Sequence, residues 1–100
     1  MAKKKWTFLS NHGLIFTYIA QNPSATTQST ANKAGLSIRA VQTILDDLEE
    51  EGYISRQKVG RSNHYGINPE KPMRHRLEKR HSVGKILQAL AIGVQKTNTI

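Results

Sequence analysis

Three stretches of the chain carry apolar side chains at helical spacing, and one carries them in alternation. Leu14, Ile15, Phe16, Tyr18 and Ile19 are apolar around most of a helix circumference, which predicts a helix buried on more than one side. Ser10 or Asn11 caps its start, and it runs to about Gln21, because Pro23 disfavours a helical residue before it. Val41, Ile44, Leu45 and Leu48 give a second, sharply amphipathic helix, closed by Gly52. Val83, Ile86, Leu87 and Leu90 repeat the pattern near the end, predicting a helix from Ser82 as N-cap to about Ile92, with Gly84 a mild weak point inside it. Between these, residues 53–58 and 63–67 alternate around a turn at Gly60 and predict a β-hairpin with Ile54, Tyr65 and Ile67 inward.

The residues before the amphipathic helix add a short helix and a tight turn. Ala31 is small enough for two helices to cross closely there. Gly35 ends the first of them in the left-handed conformation that only glycine adopts cheaply. Leu36 closes the turn, and Ser37 can accept from the free N–H groups of the next helix. That is the pattern of a helix-turn-helix. Ser37, Arg39, Gln42 and Thr43 stay off its buried face, all able to hydrogen-bond base edges or phosphates.

Charge sharpens this picture because it is segregated. The 100 residues carry 15 Lys and Arg against 7 Asp and Glu, a formal charge of +8 that favours a polyanionic partner. Asp46, Asp47, Glu49, Glu50 and Glu51 cluster at the far end of the amphipathic helix, with basic segments before and after. These acids sit unfavourably at a helix C-terminus and repel phosphate, so the helix should present its N-terminal half to DNA. Their plainest reading is a solvated face. Lys3, Lys4 and Lys5 form a basic arm over residues 1–9, with Trp6 and Phe8 packing back onto the body.

The chain has no cysteine, which excludes disulfides and thiolate metal sites. No two of His12, His64, His75 and His81 stand at i, i+4 spacing, and no carboxylate joins them in a ligand pattern, so no metal or other cofactor is expected. No nucleophile and base, phosphate-cradling glycine loop or isolated carboxylate pair marks a catalytic site, so no enzyme is expected. The longest purely apolar run is residues 89–92; no membrane contact is expected, and the location read is the cytoplasm, with the nucleoid.

Helix, helix, helix, hairpin is the order of a winged helix. Residues 31–42 (ANKAGLSIRAVQ), 48–54 (LEEEGYI) and 59–65 (VGRSNHY), in that order and spacing, resemble prokaryotic winged helix-turn-helix transcriptional regulators of the broad MarR/ArsR-like group. The resemblance covers roughly residues 10–68, and residues 83–87 can continue it. It implies a mainly α fold with a small β-hairpin and an additional C-terminal helix. It also places Ser37, Arg39, Gln42 and Thr43 in a major groove and Arg61 at a wing tip on the flanking backbone.

Thr27, Thr30 and Ala34 depart from the group, which often has larger aliphatics there, so the first helix of the motif should dock less firmly by about 0.8 kcal/mol per missing methylene. Ile38 departs the other way; it opens the reading helix, where it can meet a thymine methyl or lean on the protein body.

The expected organisation is an arm (1–9), a winged-helix domain (10–68), a linker bounded by Pro69 and Pro72 (69–81), a helix (82–93) and a frayed tail (94–100). The expected function is sequence-specific binding of double-stranded DNA by a homodimeric transcriptional regulator. Ser37, Ile38, Arg39, Gln42 and Thr43 would read, and Arg56, Lys58, Arg61, Ser62, Asn63 and His64 on the wing would hold. Phe16, Ile19, Val83, Ile86, Leu87 and Leu90 would form the dimer interface, because one thin terminal helix could not cover so apolar a first helix. The alternative fold of that helix is an intrachain lid. The alternative functions are a winged-helix protein-interaction module within a larger complex and RNA binding, the latter disfavoured by the narrow A-form groove. No effector pocket is legible, so the operator, any effector and the sign of regulation stay open.

Overall fold

The computed structural model describes residues 6–60 and 62–90. Among these residues, four helices and one hairpin follow in the order α1 (Asn11–Gln21), α2 (Thr27–Ala34), α3 (Ile38–Glu50), β1 (Ile54–Val59), β2 (Ser62–Ile67) and α4 (Gly84–Ala89). Each of the first three helices starts where a hydroxyl is available. Ser10 accepts from the Gly13 amide, Thr26 from Ser29 and Ser37 from Ala40, each satisfying one otherwise orphaned donor. α2 ends on Gly35 at φ 71°, the expected left-handed stop.

The core lies where α1, α2, α3 and the hairpin converge. Ile15, Ile19, Val41, Leu45 and Leu87 are essentially fully buried, with Phe16, Ile44, Tyr53, Ile54 and Tyr65 around them. Thr30, one of the departures from larger aliphatics, is buried too. Its hydroxyl donates to the Thr26 carbonyl at 2.8 Å, so burial leaves no polar atom unpaired.

The strands pair antiparallel, Ile54 opposite Ile67 and Arg56 opposite Tyr65, around a turn in which Gly60 has φ 63°. One edge is tied to the α1–α2 turn: the Tyr65 amide donates to the Pro23 carbonyl at 2.9 Å, and Ser24 Oγ hydrogen-bonds His64 Nδ1 at 3.2 Å.

Three expectations change. Trp6 and Phe8 do not pack onto the body; they are exposed and meet each other edge to face at 5.1 Å. Residues 69–81, expected as a linker, carry backbone hydrogen bonds of their own. Pro72 and Ser82 form an antiparallel bridge, and the Val83 amide donates to the Lys71 carbonyl and the Gly84 amide to that of Pro69. This use of Ser82 moves the cap: α4 begins after Val83, without a side-chain cap, and ends at Ala89 rather than near Ile92. Residues 91–100, and the arm lysines, lie outside the described residues.

The same packing corrects the interface expected for a dimer. Phe16, Ile19, Val83 and Leu87 are buried in the chain's own core, which leaves only Ile86, half-buried, and Leu90, exposed, facing outward. α4 thus serves as the intrachain cover. A cleft of about 510 Å³ remains between the start of α1, the end of α3 and the segment after the hairpin, with Phe8, Phe16, Leu48, Tyr53, Met73 and Ile86 among its walls. Among the described residues no helix is long and apolar enough to cross a membrane.

Candidate nucleic-acid interface

α3 presents the candidate reading surface. Its buried stripe of Val41, Ile44, Leu45 and Leu48 fixes the helix against the core. Arg39, Gln42, Thr43 and Asp46 therefore fall on the opposite face, at i, i+3, i+4 and i+7, and all are exposed. Arg39 has no ion-pair partner among the described residues. Ser37 is exposed at the very start, but its hydroxyl is engaged as the helix cap at 3.0 Å from the Ala40 amide. Ile38 is 41% exposed, so part of its side chain faces solvent at the start of the helix. The outer face is thus polar and cationic at its N-terminal end and acidic at its C-terminal end. The N-terminal end also carries the partial positive charge of the helix dipole.

The acidic end is tied to neighbouring segments by ion pairs and hydrogen bonds. Arg56 Nη2 lies 2.7 Å from Asp46 Oδ1 and 2.6 Å from Glu49 Oε1, and its Nε also donates to Glu49 at 3.0 Å. Burial alone would lower the Arg56 pKa, but the hydrogen bonds to Asp46 and Glu49 outweigh it and hold it above its ordinary value. His12 Nε2 meets Asp47 Oδ2 at 2.8 Å and pins the start of α1 to α3. Glu51 sits 3.7 Å from Arg74. Three other segments thus supply partners to carboxylates that oppose the α3 dipole.

On the hairpin, strand alternation separates the expected wing residues into two sets. Ile54, Arg56 and Lys58 share one face of β1, opposite Ile67, Tyr65 and Asn63 on β2. Arg56 therefore points at the body and its charge is taken by α3, which corrects its placement on the exposed face. Lys58 shares that face but is exposed, and Asn63 is half-buried. Ser62 and His64 lie on the outer face with Gln57 and are exposed. Arg61 lies outside the described residues.

β1 runs back alongside α3, since Arg56 reaches Asp46 and Glu49 from a strand that starts beyond the helix's C-terminus. The hairpin tip and the N-terminal half of α3 therefore lie toward one end of the molecule. What the sequence did not show is how Arg56 is used, although the period of two from Ile54 carries that information. Nor did it show the loop of residues 72–82, whose basic side chains lie at the other end of α3.

Residues 10–55 match the profile of the winged helix-turn-helix DNA-binding family. Among solved structures, an E. coli protein described as a predicted DNA-binding transcriptional regulator aligns at 22% identity and TM-score 0.56, over 79% of this chain and 72% of that one. FabT of Streptococcus pneumoniae, solved in complex with DNA, aligns at 19% identity and TM-score 0.56, over 84% and 52%. CymR, the global cysteine regulator of B. subtilis, aligns at 15% identity and TM-score 0.51, over 95% and 73%. No curated protein sequence gives a significant match. The architecture common to these structures is the one described above: the chain carries a winged helix-turn-helix domain.

Proposed function

We propose that this winged helix-turn-helix chain binds double-stranded DNA and acts as a transcriptional regulator, with the outer face of α3 as its reading surface. The observation that carries this is the set of Arg39, Gln42 and Thr43, exposed and without side-chain partners among the described residues, at the N-terminal end of a helix whose other face is locked into the core. An arginine and an amide side chain one turn apart suit guanine and adenine edges in a major groove. The match of residues 10–55 and the likeness to regulators, one of them solved with DNA, support the same reading.

Lys58, Ser62, Asn63 and His64, with Arg61, are the wing contacts to the flanking backbone, and Ser37 and Ile38 complete the reading surface. Arg56 supports the wing from beneath. Two copies pair through the exposed Phe8 and Leu90 and the half-buried Ile86, whose apolar surface would otherwise stay in water. No effector is assigned.

The test is Arg39→Ala on a duplex recovered by selection from genomic fragments. Loss of about 1–3 kcal/mol on that duplex, with little change on unrelated DNA, is the expected result. Equal losses on both would make Arg39 a phosphate clamp. No loss on either would remove α3 from the interface.

A further inference from the structure

A second cationic surface lies on the loop between Pro72 and Ser82, which the reading of α3 leaves unused. Its neck is closed by the Pro72–Ser82 bridge, and by the Met73 amide donating to the His81 carbonyl at 3.0 Å. Inside it, the Glu78 amide donates to the His75 carbonyl, the His81 amide to the Glu78 carbonyl, and the Leu77 amide to His75 Nδ1. The backbone of this loop is therefore held by its own hydrogen bonds. It displays Arg74, Arg76, Lys79 and Arg80 to solvent, opposed within the loop by Glu78 alone. Arg74 spends part of its charge on Glu51; Arg76, Lys79 and Arg80 form no ion pair among the described residues. Leu77 stands 81% exposed between them.

Its position decides what it can bind. Tyr53 Oη donates to the Pro72 carbonyl at 2.6 Å and Arg74 meets Glu51, so the loop is fixed beside the C-terminal end of α3. The thirteen residues of α3 set the reading end about 20 Å away. Between the two lie Asp46, Asp47, Glu49, Glu50 and Glu51; Arg56 pairs with Asp46 and Glu49, Arg74 with Glu51 and His12 with Asp47, so five carboxylates face two guanidinium charges and the band keeps an excess of negative charge. A straight phosphate backbone spanning both surfaces would have to cross that acidic band. The two cationic surfaces therefore suit two separate segments of nucleic acid.

We propose that the Arg74, Arg76, Lys79 and Arg80 surface binds the phosphate backbone of a second DNA segment, so that the protein bridges two duplexes. This rests on the reading of α3 as the first DNA surface. The rival ligand for a basic loop is an anionic membrane, but a lone exposed leucine on a turn offers far less apolar area than an interfacial helix. An exposed leucine beside an arginine, as Leu77 is beside Arg76, is also the chemistry of side chains that enter a minor groove.

The experiment immobilises a 40-base-pair duplex on beads, adds the full chain, and reads capture of a second, fluorescent duplex. The wild type captures it. The variant R76A/K79A/R80A, altered only at exposed side chains and checked for an unchanged unfolding midpoint, keeps binding the immobilised duplex but captures at least tenfold less. Arg76→Ala alone lowers the slope of log capture against log salt by about 0.9, the value for one phosphate.

Capture by the triple variant equal to wild type overturns the proposal. So does binding of phosphatidylserine vesicles that the triple variant loses while duplex capture persists. R39A/Q42A separates the two readings. If it binds the immobilised duplex as well as wild type does, α3 is not the first surface, and bridging fails for that reason rather than through the loop. Capture lost in R39A/Q42A but kept in the triple variant assigns bridging to paired reading helices instead and also overturns the loop.

Discussion

Replacing Gly84 by alanine sets two physical effects against each other. Helix propensity favours the change by up to about 1 kcal/mol, and a reading of the sequence as a helix from Ser82 treats Gly84 as a weak point that alanine would repair. The structure reverses the sign. A Cβ at position 84 would lie 2.7 Å from the Pro69 carbonyl oxygen and 2.9 Å from the Pro69 Cβ. Carbon–oxygen contacts normally stop near about 3.3 Å, so one backbone must retreat by roughly half an ångström or more. The retreat also strains the 2.8 Å hydrogen bond from the Gly84 amide to that same carbonyl.

Overpacking costs about 1–3 kcal/mol, and losing the hydrogen bond about 1 kcal/mol. Gly84 opens α4 rather than sitting inside it, so the propensity gain is smaller than for an interior site. The net expectation is destabilisation of about 1–3 kcal/mol. Urea denaturation followed by far-UV circular dichroism should show the midpoint falling by about 1 M, with the slope unchanged. Hydrogen exchange should show lost protection at the residue 84 amide. Gly35→Ala is the comparison, because nothing lies within 4 Å of its Cβ and its cost, about 1–2 kcal/mol, comes from φ 71° alone. A Gly84→Ala midpoint at or above wild type would refute the packing of α4 against Pro69.

Lys58→Ala should lower the salt slope of duplex binding by about 0.9, since Lys58 is exposed, as read by fluorescence anisotropy across a salt series. Arg56→Met should instead lower stability by about 1 kcal/mol in urea melts, because it breaks the links to Asp46 and Glu49; no stability loss would show those links to be idle. Burial holds the Tyr53 phenol above its ordinary pKa, so the folded state keeps its proton longer than the unfolded chain. Stability should then fall as pH rises above about 10, and Tyr53→Phe should flatten that alkaline decline in denaturation midpoints. Leu90→Glu should convert a sedimenting dimer to a folded monomer; a wild type already monomeric at micromolar concentration would remove the pairing.

The first three helices were legible because each carries its own punctuation: Ser10, Gly35 and Ser37 act at the positions their chemistry suggests. The exposed face of α3 followed from the period of its buried stripe. The partner that covers an apolar stripe is a different matter. Val83 and Leu87 read the same whether a second copy or the chain's own core receives them, since periodicity reports that a face is buried and not by what. The neck joining Pro72 to Ser82 and the cleft beside α1 depend on contacts between distant segments, which no local pattern encodes. Arg56 departs from the exposed face because its register with Ile54 turns it toward α3, whereas its charge alone suggests solvent.

The hairpin is fastened on both flanks, to the α1–α2 turn through Tyr65 and Pro23 and to α3 through Arg56. The spacing between wing and reading helix is consequently a fixed dimension of the protein. In the proposed complex, a duplex must match that dimension or bend and compress until it does, and the energy of doing so varies with its dinucleotide steps. Base pairs that no side chain touches, between the groove holding α3 and the backbone under the wing, would then contribute to the choice of site through their stiffness.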